Sequence, residues 1–177
     1  MNLTPLHTAV IRRATETAEV LLARHADPND ADTDGQTPLH LAAIHGEPGT
    51  TAVLLVAKAM QTTDTLGMTP RDLAMAQSSW QVVEELDRKD LVRACSAGLV
   101  PNIRSLLRGG ASPNCENPKA GSTALVTAIL RDRAGAVQEL LRSKANVNVC
   151  GRGGLDALNA AVLKGDAGVT RALLEAR

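Results

Sequence analysis

Aromatic side chains are almost missing from this chain. Phe and Tyr do not occur, and Trp80 is the only aromatic among 177 residues, although 44% of the residues are hydrophobic. The length is sufficient to bury a core without disulfides or a structural metal. That core must be built from Ala, Leu and Val, and this composition favours thin helices packed closely together.

Cysteine is also scarce. Cys95, Cys115 and Cys150 form an odd number in no metal-ligand or redox spacing, which excludes a disulfide framework and favours a reducing compartment. The first residues, "MNLTPLHTAVIRR", lack the basic and apolar regions of a signal peptide, and no apolar run reaches membrane length. We therefore expect a soluble cytoplasmic or nuclear protein with no membrane contact.

Net charge is zero overall but not locally. Residues 1–87 hold 5 Lys and Arg against 12 Asp and Glu, whereas residues 88–177 hold 14 against 7. A uniformly basic chain would indicate nucleic acid, which we do not expect here. Opposite charges on the two halves favour a charge-patterned protein partner or self-association.

A repeat of about 33 residues runs through the chain. "TPLHTAV" begins at Thr4, "TPLHLAA" at Thr37 and "TPRDLAM" at Thr69, while "STALVTAI" around Thr123 and "LDALNAAV" around Asp156 lie 33 residues apart. A sixth copy, "KDLVRACSAG", has Lys89 in the Thr place. A period of this length predicts a repeat architecture.

The register is kept inside each copy. The place five residues after the Thr place is always alanine, and a pair of leucines comes later in five copies. Each copy is thus predicted to be a short helix, a turn and a second helix. Loops rich in Asn, Asp, Pro and Gly join the copies. The alanines that share this place are Ala9, Ala42, Ala74, Ala94, Ala128 and Ala161.

These motifs resemble the ankyrin-repeat family, most clearly in "DTDGQTPLHLAAIHG", residues 32–46. The resemblance covers essentially the whole chain. It implies an all-α solenoid of about six helix-turn-helix repeats whose loops are short β-hairpin fingers. The sequence departs from the family pattern where Arg13 and Asp132 replace a turn glycine, and where the fourth copy lacks Thr-Pro.

The family binds protein partners through its fingertips and the concave side of the first helices. Leu66, Met68, Leu155 and Leu163 are apolar at such places and are candidate anchors. The alternative is that they are isolated exposed apolar residues, which are common. Carried over by position, the implied partner-binding residues are Thr33, Asp34, Gln36, Ile44, His45, Thr65, Leu66, Met68, Gln77, Lys119, Ser122, Leu130, Arg131, Arg152, Leu155, Leu163 and Lys164.

We find no pattern for catalysis, a cofactor or a metal. The resemblance gives His7 and His40 a structural role within TPLH, and a third metal ligand is missing. Cys95 occupies a small-residue place and is expected to be buried, whereas Cys115 and Cys150 are expected to be exposed loop thiols without a neighbouring base. "CGRGGLD", residues 150–156, lacks the ending of a phosphate loop. We therefore do not expect an enzyme.

Two single residues leave hypotheses open. "KANVNVC", residues 144–150, resembles the family motif in which an asparagine is hydroxylated, and Asn148 would be the acceptor, although Asn146 replaces the usual acidic residue. Trp80 is either a cap over an end of the stack or an anchor for a partner; we favour the cap.

The period breaks once. Only 20 residues separate Thr69 from Lys89, so one finger is missing, and we expect a tight turn at "LDRKD" with Asp87 or Asp90 capping the next helix. Either six repeats stack without interruption, or residues 1–87 end in a terminal repeat and residues 88–177 begin with an initiating one. The second organisation, together with the opposite charges, predicts head-to-tail association.

The expected function is that of a non-enzymatic module that binds a protein partner in its concave groove and at its fingertips. A narrower alternative is an inhibitor of a kinase or a transcription factor. A structural subunit that assembles through uncapped outer repeats is the alternative from a different class.

Overall fold

The computed structural model describes residues 2–117, 120–151 and 154–176. Lys119 and Arg152, both predicted partner-binding residues, lie outside these ranges. Within them the regular secondary structure is helical apart from one two-stranded hairpin. The elements are α1 Pro5–Ile11, α2 Thr15–Ala23, α3 Pro38–Ile44, α4 Pro48–Val56, α5 Pro70–Ala76, α6 Trp80–Ala97, α7 Val100–Arg108, β1 Glu116–Asn117, β2 Ser122–Thr123, α8 Ala124–Leu130, α9 Ala134–Arg142, α10 Ala157–Lys164 and α11 Ala167–Glu175.

The chain divides into two compact units, Met1–Leu86 and Asp87–Arg177. Each unit has its own apolar core, made mainly of Leu, Ala and Val as the composition predicts. The largest fully buried side chains of the first core are Leu6, Val10, Leu39, Leu54 and Leu86, and those of the second are Leu91, Ile103, Leu125, Leu140 and Leu173.

Short first helices alternate with longer second helices in each unit, which confirms the helix-turn-helix prediction. Thr4, Thr37 and Thr69 are the N-caps of α1, α3 and α5, and each is followed by Pro at the first helical position. Proline is favoured there because its missing N–H would have no partner inside the helix. In the second unit Thr123 caps α8 and Asp156 caps α10.

Left-handed backbone occurs at only three places of the repeat within the described ranges. One is the turn between paired helices, another comes after the second helix, and the last lies two residues before the Thr place. Arg13, Ser78 and Asp132 stand at the place of the turn glycine, have φ of 56°, 56° and 57°, and so keep the glycine-like conformation. The repeat therefore fixes the backbone more strictly than the residue type.

Fingers are closed mainly by turns. Only the finger between α7 and α8 forms paired strands within the described residues, with Glu116 opposite Thr123 and Asn117 opposite Ser122. In the other fingers one backbone hydrogen bond closes the loop. In the first finger, for example, the Asp32 N–H donates to the Gln36 carbonyl oxygen at 3.0 Å.

The predicted turn at "LDRKD" is wrong. Residues 86–90 lie inside the 18-residue helix α6, so neither Asp87 nor Asp90 is a helix cap. In the other repeats a left-handed residue comes after the second helix and starts the finger, but Asp90, which holds the corresponding place, is helical. Without the finger and its left-handed start, the backbone continues the i→i−4 hydrogen-bond ladder.

Candidate partner-binding surface

Two histidines connect first helices to the fingers that come after them. The Thr37 N–H donates to His40 Nδ1 at 3.1 Å, and the Thr37 hydroxyl lies 2.9 Å from the same nitrogen. Because Nδ1 accepts, Nε2 carries the proton and donates to the Met68 carbonyl oxygen at 3.2 Å. His40 is fully buried, and this burial lowers its pKa even though the Met68 carbonyl favours the charged form.

His7 repeats this arrangement one period earlier. Thr4 N–H donates to its Nδ1 at 3.2 Å, and Nε2 lies 3.0 Å from the Gln36 carbonyl oxygen. Each histidine therefore ties its own helix start to the last residues of the next finger. The structural role predicted for His7 and His40 is confirmed.

Asp72 occupies the histidine place in the third repeat. Its Oδ2 accepts from the Thr69 N–H at 3.0 Å and the Thr69 hydroxyl at 2.6 Å, and these bonds lower the pKa of Asp72. Asp72 therefore bonds to its N-cap threonine as His7 and His40 do, but it does not bond to a finger. This difference results from the missing finger, because no finger carbonyl of a next repeat is available there.

Aspartates hold the fingers of the first unit in shape. Asp32 Oδ1 accepts from the N–H groups of Asp34 and Gln36, and Asp64 Oδ1 accepts from those of Leu66 and Met68, all at 2.9 Å. Such side-chain-to-backbone bonds replace the strand pairing that these fingers lack. The fingertip backbone is thus fixed where predicted contact residues stand.

Adjacent fingers in the first unit also bond to each other. The N–H and hydroxyl of Thr65 both donate to the Asp34 carbonyl oxygen, at 3.1 and 2.8 Å. A methyl group on Gly35, whose φ is 73°, would lie 3.0 Å from the Thr65 nitrogen. The close approach requires a glycine at this position and turns two fingers into one continuous surface.

The predicted contact residues differ in exposure. Among the apolar contact residues, Leu66 and Leu163 are the most exposed, at 83% and 73%. Leu155 packs against the second core. The exposed members are Thr33, Asp34, Thr65, Leu66, Gln77, Leu130, Arg131, Leu163 and Lys164, and the half-buried members are Gln36, Ile44, His45, Met68, Ser122 and Leu155.

Comparison with known families decides what this arrangement is. A family model described as ankyrin repeats (3 copies) matches residues 6–89 and again residues 91–177. The chain belongs to the ankyrin-repeat family. The matched ranges include both histidines, the fingers and nearly all of the helices described above, so the resemblance seen in the sequence and the predicted solenoid class are both confirmed.

Several curated ankyrin-type relatives are longer than this chain. The mouse B-cell lymphoma 3 protein homolog is 29% identical over 172 residues, which is 97% of this chain and 35% of that protein. The Neurospora crassa ankyrin repeat protein nuc-2 is 31% identical over 133 residues, covering 67% of this chain and 12% of its own length. Human NF-kappa-B inhibitor alpha is 54% identical over 43 residues, which is 24% of this chain and 14% of that protein. The chain spans about a third or less of each.

Two predicted contact residues are already engaged between ankyrin repeats. Lys164 Nζ lies 2.7 Å from Asp132 Oδ2, and the His45 carbonyl oxygen accepts from Arg13 at 3.4 Å. Arg13 also pairs with Glu47 at 3.0 Å. Arg13 and Asp132, which replace turn glycines, therefore contact the next repeat with their side chains, which a glycine could not do.

Asn148 is exposed and its backbone N–H donates to Asn146 Oδ1 at 3.0 Å. Asparagines near the same place in earlier fingers accept hydrogen bonds from the next finger. Asn29 Oδ1 accepts from the Met60 N–H at 2.8 Å, and Asn114 Oδ1 accepts from the Asn146 N–H at 2.7 Å. These asparagines join successive fingers, and hydroxylation of Asn148 stays a hypothesis.

One cysteine prediction is wrong. Cys115 is buried, not exposed, since its side chain enters the second core beside Cys95. Burial raises the pKa of Cys95 to about 12 and that of Cys115 to about 11, so both stay protonated at neutral pH. Cys150 is exposed and Cys95 is buried, as predicted.

Two kinds of feature are absent from the part of the chain that the structure describes. No group of three or more His, Cys, Asp or Glu side chains there is arranged to hold a metal ion. No helix within these ranges is long and apolar enough to cross a membrane.

Sequence reasoning missed several exposed apolar residues. Val162, at 63%, and Leu174, at 53%, lie on the last helix pair, and Val20 lies on a second helix. Ile129, which holds the place of Val162 one repeat earlier, is 3% exposed. A register comparison could have found Val162. Trp80 is 63% exposed, and whether it is a cap or a partner anchor stays a hypothesis.

Proposed function

We propose that the chain is a non-enzymatic interaction module that binds a protein partner through its fingers and first helices. The observation that carries this proposal is the exposure of Leu66 and Leu163 at places where the ankyrin family contacts partners. A large apolar side chain in water contributes favourably when a partner covers it, by roughly 25 cal/mol per Å². Partner-binding hot spots are built from such residues with polar neighbours around them.

Rigidity strengthens the case for Leu66. Its N–H is bonded to Asp64 Oδ1 at 2.9 Å, and the preceding finger residue, Thr65, is bonded twice to Asp34. The leucine therefore projects from a backbone that needs no further ordering when a partner arrives. A preorganised backbone of this kind loses less conformational entropy on binding.

Charge assigns different contacts to the two units. The finger surface of the first unit includes exposed Asp34 and the first-helix surface of the second includes exposed Arg131. We propose that the partner carries basic groups toward the first unit and acidic groups toward the second. We also propose cytoplasmic or nuclear localisation, which the exposed free thiol of Cys150 supports.

The experiment compares matched apolar-to-charged substitutions. Leu66→Asp and Leu163→Asp alter the proposed surface, whereas Val20→Asp and Val56→Asp alter second helices at residues that are 61% and 52% exposed. Quantitative pull-down followed by mass spectrometry should identify a protein retained by the wild type and both valine variants and lost from at least one leucine variant. Equal retention by all four variants would contradict the proposed surface.

A narrower proposal concerns the class of partner. We propose that it is a transcription factor of the NF-kappa-B kind, because 43 residues of this chain are 54% identical to human NF-kappa-B inhibitor alpha. Titration with a purified NF-kappa-B subunit tests this directly. Absence of binding would remove the narrower proposal and leave the general one intact, since the pull-down does not assume a partner.

Assembly is the competing proposal. Exposed Val162 holds a place that is buried at Ile129, so another ankyrin-type repeat could cover it. Sedimentation velocity at low and high salt would then show association that Val162→Asp weakens. A salt-insensitive monomer at high protein concentration would exclude self-association as the function.

A further inference from the structure

A cavity of about 490 Å³ lies between α7 and α9, on the second-helix side of the second unit. This side is not where ankyrin fingers and first helices bind partners. The lining residues are Arg104, Leu107, Arg108, Glu139, Arg142 and Ser143. Three guanidinium groups and one carboxylate give the lining a formal charge of +2.

Glu139 organises two of the three arginines. Arg104 donates from Nη2 to Oε1 at 2.6 Å and from Nε to Oε2 at 3.2 Å, and Arg142 donates from Nη1 to Oε1 at 2.9 Å. The carboxylate is buried whereas both guanidinium groups reach solvent. Bonding by Arg104 holds the pKa of Glu139 below its ordinary value, so the carboxylate is charged at neutral pH.

Most of the donors remain available. Each guanidinium has five N–H groups, and Glu139 uses only three of the fifteen. Arg108 lies one helical turn after Arg104 on the same face of α7, and it makes no hydrogen bond or ion pair within the described ranges. Ser143 adds a hydroxyl at the end of α9.

Both helices end at this cavity, and their carbonyl ends carry about half a negative charge each. Arg108 and Arg142 stand in the last turns, where they offset this charge. The three arginines exceed Glu139 and the two helix ends together by about one unit of charge. The cavity therefore keeps a net positive charge.

We propose that this cavity binds an oxyanion carried by a side chain of a partner protein, either a phosphoserine or a carboxylate. Arginine suits both groups because its planar fork donates two parallel hydrogen bonds to two oxygens. The volume exceeds what one oxyanion fills, and Leu107 supplies an apolar wall for the neighbouring part of a peptide. These two features favour a protein side chain over a free ion.

The test measures fluorescence anisotropy with the full chain. The probe is a labelled acidic heptapeptide with one phosphoserine, and the comparison probes carry glutamate or alanine at that position. Binding of the phosphoserine or glutamate probe above the alanine probe is expected. Inorganic phosphate is the competitor, and if it bound as tightly as the peptide, the protein side chain would be the wrong source.

Two arginine variants separate the cavity from diffuse attraction. Arg108→Gln should weaken peptide binding about tenfold, since it removes charge-assisted hydrogen bonds. Arg171→Gln removes the same charge from an exposed position on α11 outside the cavity and should change binding less than about twofold. Equal weakening by both variants would overturn the proposal.

Glu139→Gln gives the sharpest result because two explanations predict opposite signs. Simple attraction predicts tighter binding after a negative charge is removed. The proposal predicts weaker binding, because Arg104 and Arg142 lose the group that orients them. Circular dichroism checks that the variant folds, and the Arg108 comparison remains decisive if it does not. Leu163→Asp should bind the peptide like the wild type, so this test does not depend on the groove.

Discussion

The two units contain the same ankyrin repeat, but they differ in whether the first helices bond to the next finger through histidine. In the first unit, buried His7 and His40 reach the carbonyl oxygens of the next finger. In the second unit, Val126 and Asn159 hold the histidine place, and no histidine occurs. A two-stranded hairpin and the bond from the Ala124 N–H to the Cys115 carbonyl oxygen, at 2.9 Å, stabilise the finger there.

This difference shows that the repeat fixes the position of a residue more strictly than its chemical type. A place at the third residue of a first helix can hold histidine, aspartate, valine or asparagine, provided that the helix start is capped. The residue at this place decides whether the first helix bonds to the next finger. Histidine occurs where a finger carbonyl lies within reach, and Asp72 occurs where the finger is missing. The first unit should consequently depend on its histidines, and the second should not.

The largest effect should come from His40→Ala. Removing the ring leaves the buried Thr37 N–H and the Met68 carbonyl oxygen without their partner, which costs about 2–3 kcal/mol of unfolding free energy. Asp72→Ala, which removes only the Asp72 half of the capping box with Thr69, should cost about 1 kcal/mol. Asn159→Ala in the second unit should cost less than about 0.5 kcal/mol because its side chain is exposed.

Urea unfolding gives these free energies, and hydrogen exchange with mass spectrometry shows where protection is lost. His40→Ala should increase exchange mainly in residues 2–86. If Asn159→Ala were as costly as His40→Ala, the proposed contrast between the two units would be wrong.

A smaller effect is expected from acid. The folded pKa of His40 lies below its unfolded value of about 6.5, so the unfolded chain binds more protons between these two values. The stability that neutral His40 contributes is fully present above pH 6.5 and is lost as pH falls toward the folded pKa. Protonation would place an N–H at Nδ1 against the Thr37 N–H.

Hydrogen exchange between pH 7.5 and 5.5, corrected for its intrinsic rate, measures this effect by region. Protection should fall in the first unit, and His40→Ala should reduce the pH dependence. An equal fall in the second unit would show that histidine is not its cause.

The smallest effects concern the helix-helix turns. Ser78 has a φ of 56°, and Ser78→Gly should stabilise the first unit by about 0.5 kcal/mol because glycine adopts this conformation without strain. Gly165 has a φ of 68° and open space around a β-carbon. Gly165→Ala should lower the unfolding free energy of the second unit by about 1 kcal/mol. Thermal unfolding detects both, and a stabilising Gly165→Ala would contradict the shared turn geometry.

Much of the fold was predictable because the repeat is local. The period located each helix pair, and the Thr places located the helix starts at Thr4, Thr37, Thr69, Thr123 and Asp156. The predicted turn at "LDRKD" failed because a charged segment between two amphipathic pieces can also continue a helix. A turn here would need a residue with left-handed backbone, whereas a continued helix needs none. The segment contains no glycine that would distinguish the two.

The candidate site was predictable in position but not in exposure. The family register made both Leu66 and Leu155 candidate anchors, yet Leu66 is exposed to solvent and Leu155 packs against a core. Cys115 was misjudged for the same reason, since a loop position does not reveal which way its side chain turns. Arg104 and Glu139 are 35 residues apart, and nothing in the sequence indicates their bidentate pair.

The sequence alone determined the repeat, its helix starts, the missing finger and the opposite charges of the two halves, because these depend on residue type and spacing along the chain. Tertiary structure decided which side chains are buried, which finger forms strands, and which carbonyl each histidine reaches. It also brought three arginines around one glutamate. Those outcomes depend on contacts between residues about one period apart, and the packing of neighbouring repeats sets such contacts.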